Sequence, residues 1–137
     1  MVAVNRQQTS LEELLELIYS QDWNERASAA RRLVRFGPTI VAQLIKASQS
    51  ERSEVRYVAA WTLGEIITDA STEALCQLVQ TERDWAVREV AVRSLGRHGC
   101  DTAEKALVRV SLNDPSKRVR RAALDTVARL LRRPSRR

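Results

Sequence analysis

Apolar positions along this chain recur at helical spacing, and the whole pattern then recurs at a longer interval. In the stretch 82–96, ERDWAVREVAVRSLG, Val87, Ala91, Val92 and Leu95 fall on one face of a 3.6-residue period. The face is organised around Arg88, and the same arrangement surrounds Arg26, Arg56 and Arg120, at intervals of about 30, 32 and 32 residues, the range of helical solenoids. Three places after each anchor stand Ala29, Ala59, Ala91 and Ala123; four places after, Ala30, Ala60, Val92 and Leu124; seven places after, Leu33, Leu63, Leu95 and Val127. The pattern predicts four equivalent inner helices, each preceded by an outer amphipathic helix. The expected fold is all-α: a right-handed α-α superhelix of four hairpins and about eight helices.

Local signals divide the chain into repeats at about 9–37, 38–69, 70–99 and 100–133, with a basic tail at 134–137. Ser10 and Glu13 have capping-box spacing ahead of Leu11, Leu14, Leu15, Leu17 and Ile18. Asp22 is expected to cap the first inner helix, with Gly37 as a left-handed stop and Pro38 starting the next helix. The second inner helix follows the polar connector SQSERS and is expected to break at Asp69–Ser71. The third closes at Gly96 and Gly99 around His98. Asp101 with Glu104 repeats the capping-box spacing, and Asp114 is expected to cap the last helix with Pro115 in its first position.

Composition supports this reading without changing it. Ala, Leu, Val and Arg dominate, aromatics are 4% of residues, and there are four Gly and three Pro, so helix is favoured over strand. Cys76 and Cys100 lack zinc-site spacing and are expected to be reduced, incidental thiols. No apolar run reaches membrane-span or signal-peptide length, so a soluble cytoplasmic protein is expected. The formal charge of +6 is uneven: residues 1–68 carry eight basic and eight acidic side chains, residues 69–137 fifteen and nine. From Arg109 onward ten basic groups face two acidic ones, which suits an anionic partner or a solubilising tail.

The repeated motif also resembles a family. Asp114-Pro115-Ser116-Lys117-Arg118-Val119-Arg120 and Asp84-Trp85-Ala86-Val87-Arg88, the latter followed by Leu95-Gly96, are similar to the inner-helix opening of HEAT repeats, particularly the short HEAT-like repeats of phycobilisome lyase subunits. The first copy keeps Asp22, Trp23 and Arg26 with Glu25 at the Val position, and the second lacks both the Asp-Pro start and the Trp. The resemblance covers nearly the whole chain. It implies a stacked solenoid and, through the lyase relatives, a chromophore-handling complex. The paired His-Glu motifs of the HEAT-repeat deoxyhypusine hydroxylases are absent, since the chain has one His.

The ladder residues Arg26, Arg56, Arg88 and Arg120 project near the middle of the apolar face, so their guanidinium groups need internal acceptors; Asp22, Asp84 and Asp114 are the candidates. Gly64 and Gly96 mark close helix approach. Positions one, five and nine after each anchor lie about 40° apart on the opposite side of the helix. There Tyr57 and Trp61 stand one turn apart, flanked by Arg31 and Arg35 on one neighbour and by Arg93 and Arg97 on the other, the composition of a protein-binding hot spot. Packing of Trp61 onto its neighbours is the alternative, and Trp23 and Trp85 are expected to pack hairpin corners. No phosphate loop, nucleophile elbow or metal cluster is present, and His98 beside Cys100 is not oriented as a catalytic pair by adjacency alone.

The sequence therefore points to a noncatalytic scaffold, without cofactor, that grips an acidic protein segment on its inner surface. Nucleic-acid binding through Arg121, Arg129, Arg132 and Arg133 is the second reading, and a phycobilin lyase component the third.

Overall fold

The computed structural model describes residues 10–134; the chain's first nine residues and positions 135–137 of the basic tail lie outside the described residues. The helices are α1 Leu11–Leu17, α2 Trp23–Leu33, α3 Val41–Ala47, α4 Ser53–Glu65, α5 Asp69–Thr81, α6 Trp85–His98, α7 Asp101–Asn113 and α8 Lys117–Leu131, with a 3₁₀ segment Val34–Ile40 between α2 and α3. There is no strand among the described residues. Each odd-numbered helix packs on the even-numbered helix that follows it. The inner helices α2, α4, α6 and α8 then stack in sequence, and α3, α5 and α7 stack behind them. The result is a four-hairpin α solenoid.

The repeated apolar positions form its core. Leu33, Leu63 and Leu95 are fully buried, as are Ala59, Ala91 and Ala123 at the register three after the anchor. Burial at these sites is what fixes the stacking, since Leu to Ala in such a site costs roughly 2–5 kcal/mol. Leu124 breaks the pattern. It shares the register of Ala60 and Val92, both fully buried, yet is 59% exposed, because no hairpin follows α8 among the described residues.

Close approach between inner helices depends on glycine. A Cβ added at Gly64 would lie 2.3 Å from Ser94 Oγ and 2.9 Å from Ser94 Cα, and one at Gly96 would lie 2.5 Å from Thr126 Cγ2. Both glycines stand eight places after an anchor and face a residue six places after the next. Ser94 Oγ donates to the carbonyl of Ala60 across the first of these joints, at 2.9 Å.

Four details of the helix boundaries differ from expectation. α4 ends at Glu65, and Thr68 caps α5 through reciprocal bonds with Ser71, so Asp69–Ser71 opens a helix instead of breaking one. α7 is preceded by Cys100, which makes no side-chain cap, and Asp101 sits inside the first turn where its charge suits the helix dipole. α8 begins at Lys117 behind Ser116, not at Pro115 behind Asp114, because the Asp114 carboxylate is already held by Arg88. Gly37 does have positive φ, 62°, but with ψ −147° it redirects a 3₁₀ segment instead of ending a helix in left-handed geometry. Gly99 is the true left-handed terminus, at φ 61° and ψ 14°.

His98 is a buried bridge between hairpins. Its Nε2 lies 3.0 Å from the Leu63 carbonyl and its Nδ1 lies 2.6 Å from Thr72 Oγ1. The Leu63 carbonyl can only accept, so Nε2 carries the proton, and neutral Nδ1 shares the single Thr72 hydroxyl proton with the Thr68 carbonyl, 3.0 Å from that hydroxyl. Burial is the largest influence and holds the imidazole below its ordinary pKa, opposed by the bond to Leu63. The unfolded chain therefore binds a proton more readily than the folded one. The stabilising contribution is complete above about pH 6.5 and is lost as pH falls below that value toward the depressed folded pKa. Melting temperature is expected to fall between pH 7 and pH 5, and His98→Gln is expected to flatten that dependence; an unchanged slope in the variant would assign the acid sensitivity elsewhere.

Candidate binding surface

One polar motif is repeated at every hairpin corner, and it sets where the inner surface can and cannot offer charge. Six places before each anchor stand Ser20, Ser50, Glu82 and Asp114. The side-chain oxygen of each accepts the amide two residues on: Asp22, Arg52, Asp84 and Ser116, at 3.1, 3.2, 3.0 and 2.9 Å. Its carbonyl accepts Nη1 of its own anchor, Arg26, Arg56, Arg88 or Arg120, at 2.9, 3.0, 2.9 and 2.7 Å.

Where the corner residue is acidic it also receives the Nε and Nη2 fork of the preceding anchor. Arg56 reaches Glu82 at 2.8 and 2.9 Å, and Arg88 reaches Asp114 at 2.9 and 3.2 Å. The ladder thus uses Glu82, where the sequence pointed to Asp84. Asp22 and Asp84 instead cap α2 and α6, accepting from Glu25 N and Ala86 N. The corner that follows Arg26 in register carries Ser50 and no carboxylate, and Arg26 Nε is a buried nitrogen without a hydrogen-bond partner.

With these arginines turned inward, the exposed inner surface divides into two parts. The first is an aromatic hollow of about 260 Å³ lined by Trp23, Ala27, Ala30, Arg31, Tyr57, Val58 and Trp61. Trp61 is half-buried and packs on the core, so its indole forms a wall more than a free knob. Trp23 is the exposed indole, at 53%; its ring meets Tyr57 edge-on with centroids 6.1 Å apart, and the Arg26 guanidinium lies 5.7 Å from its centre. Sequence reading placed Trp23 at a corner and missed it as a site residue, although its position three before the anchor puts it one turn from the tyrosine's row. Arg35 is exposed on the 3₁₀ segment and does not line the hollow.

The second part is a cleft of about 560 Å³ between α6 and α8, framed by Arg93, Arg97, Arg118, Arg121, Arg129 and Arg133, with Asp125 at its edge. The structure brings together here arginines that the sequence had divided between two readings. Arg132 lies outside, its Nε donating to the Ala128 carbonyl at 3.1 Å. Glu89, expected on the wet side, is 7% exposed and clamps Arg93 at 2.8 Å and Arg118 at 2.7 Å. Arg118 in turn lies 4.9 Å from the ring centre of Trp85, which is 45% exposed, so Trp85, like Trp23, is on the surface and not packed into a corner as expected. Arg97 pairs with Glu65 at 3.1 Å. Arg121, Arg129 and Arg133 make no ion pair among the described residues. Trp61 of the hollow and Arg93 of the cleft each stand five places after their anchors on adjacent helices.

Among the described residues no group of three or more His, Cys, Asp and Glu side chains could hold a metal ion. His98 turns away from Cys100 to its bonds with Thr72 and Leu63, and burial pushes the Cys76 thiol above its ordinary pKa. No helix among the described residues is long and apolar enough to cross a membrane.

Stacked hairpins with an arginine ladder define an α-solenoid repeat protein. A profile of HEAT repeats matches residues 11–95 and 72–135, and the chain belongs to the HEAT repeat family. No curated protein sequence matches it. Among solved structures, human deoxyhypusine hydroxylase in complex with glycerol superposes with a TM-score of 0.69 at 20% identity, covering 88% of this chain and 44% of that one. That likeness is one of fold. The chain spans less than half of its structural neighbour's length.

Proposed function

We propose that the protein is a noncatalytic adaptor whose inner surface grips an acidic segment of a protein partner. The observation that carries this reading is that the same row of inner helices bears an aromatic hollow at α2 and α4 and, at α6 and α8, a cleft in which Arg121, Arg129 and Arg133 have no ion pair among the described residues. An apolar side chain would enter between Trp23, Tyr57 and Trp61. Carboxylates further along the segment would meet the arginines, whose forked donors match them. Glu89 holds Arg93 and Arg118 in place beforehand, which lowers the ordering cost of binding.

The test is titration of a synthetic peptide carrying one Phe followed by several Glu, read by tryptophan fluorescence. Trp23→Ala with Tyr57→Ala is expected to weaken binding at least tenfold, about 1.4 kcal/mol or more. Arg121→Ala with Arg129→Ala should produce a similar loss that disappears at high salt. Binding of a nonspecific duplex with a steep logarithmic salt slope, unmoved by the aromatic variant, would replace this reading with nucleic-acid recognition. The phycobilin lyase reading makes a separate prediction, bound bilin absorbance after coexpression with a chromophore source.

A further inference from the structure

We infer that the far end of the solenoid, the outward face of α7 and α8, is a docking face for a partner's helical hairpin that carries an acidic residue at its corner. The reasoning is independent of the inner-surface reading and rests on two observations. The first is the exposed apolar row. Leu124 is 59% exposed at a register where Ala60 and Val92 are fully buried beneath the next inner helix, and on α7 Val108 and Leu112 are 44% and 72% exposed. Leu124 occupies the position that every earlier hairpin covers with its successor, Ala30, Ala60 and Val92 all being buried there.

The second observation is electrostatic and indicates which cover would complete the ladder, as the second and third hairpins' successors do and Ser50 does not. Arg56 and Arg88 each place an Nε and Nη2 fork on the corner carboxylate of the following hairpin. Arg120 occupies the same register and makes the same Nη1 bond to its own corner carbonyl, but its fork meets no carboxylate among the described residues. A hairpin stacked in the common geometry would bring its corner residue to that fork. Aspartate or glutamate there would complete a third rung of the ladder.

A second copy of this chain is a poor occupant. Its opening hairpin offers Ser20 at the corner, and its own far end offers the same basic groups, Lys117, Arg120 and Arg121. The position of Ala128, where Gly64 and Gly96 stand in the other inner helices, requires a partner helix that sits slightly further out or presents a small residue opposite.

The experiment tethers a hairpin of known chemistry to the face. The chain is carried through Leu130 and continued with a copy of residues 99–134 carrying Thr126→Ala, the position that would face Ala128, in the register by which the fourth hairpin follows the third. The added segment is expected to gain helical ellipticity and to melt together with the rest in one transition. Asn in place of Asp at the added corner should lower the midpoint by roughly 10 °C. Arg120→Met should do the same in the extended chain while leaving the original chain's midpoint nearly unchanged. An added segment without helix, or an Arg120→Met effect equal in the two chains, would overturn the inference. So would reversible dimerisation of the original chain on concentration that Leu124→Asp abolishes, which would assign the face to self-association.

Discussion

Asp114→Ala is expected to destabilise the protein by about 3–5 kcal/mol, equivalent to a drop of roughly 10–15 °C in melting temperature. The carboxylate is 7% exposed and serves two structures at once: it takes the Arg88 fork from the third hairpin and the Ser116 amide that opens α8. Removing it leaves a guanidinium that is 8% exposed with only its Nη1 bond to Glu82. The loss is that of a stranded charge, not of attraction between two partners, so replacing both should be milder. Arg88→Met combined with Asp114→Leu is expected to recover a large part of the stability, measured by denaturant unfolding. Arg26→Met gives the contrast within one chain. Its Nε is already without a partner, so the cost should be small although the residue occupies the same register. Equal losses for Arg26→Met and Arg88→Met would contradict the role given to the corner carboxylates.

Gly64→Ala is the second substitution with a large expected effect, and its sign opposes simple helix propensity. Ala in place of Gly inside a helix ordinarily gains up to about 1 kcal/mol. Here the new methyl would stand 2.5 Å from Ser94 Cβ and 2.9 Å from its Cα, so rotating the serine cannot relieve the overlap and α4 must part from α6. The Ser94 bond to the Ala60 carbonyl would lengthen with that movement. A net loss of roughly 1–3 kcal/mol follows from overpacking. Ser94→Gly introduced with it should restore part of the stability, since the approach to the Cα at 2.9 Å remains, whereas Ser94→Ala should not, because the Cβ that collides is still present. Thermal melts of the three variants decide the point.

The fold was legible because the solenoid repeats its own evidence: Ala91, Leu95 and their equivalents mark the same face at every anchor, so one reading constrains four helices. The corner motif was less legible. Ser20, Ser50, Glu82 and Asp114 differ in type, and what they share is a side-chain oxygen within reach of an amide two residues on, a relation of geometry more than of identity. That is why the sequence points to Asp84, which matches the anchors' neighbourhood, and gives no sign of Glu82. On the inner surface, residue rows identified Tyr57, Trp61 and the flanking arginines, but not which charges were already answered. Glu89 was placed in water by its register, yet the guanidinium groups of Arg93 and Arg118 close over it. Trp23 was missed for a related reason: position along one helix says little about a ring that reaches its neighbour.

The joint between the first and second hairpins has Ser50 where later corners carry an acid, and Val34 where later inner helices carry glycine. It lacks both devices that tie α4 to α6 and α6 to α8, is crossed instead by Arg52 donating to the Tyr19 and Ser20 carbonyls at 2.6 and 3.3 Å, and houses the one buried side-chain nitrogen left unbonded among the described residues. Cohesion in this molecule is therefore graded along its length. Amide hydrogens of α1 and α2 should exchange with solvent through a cheaper opening than those of α6, so that a pulling force or a protease would peel the first hairpin away while the remaining three stay assembled.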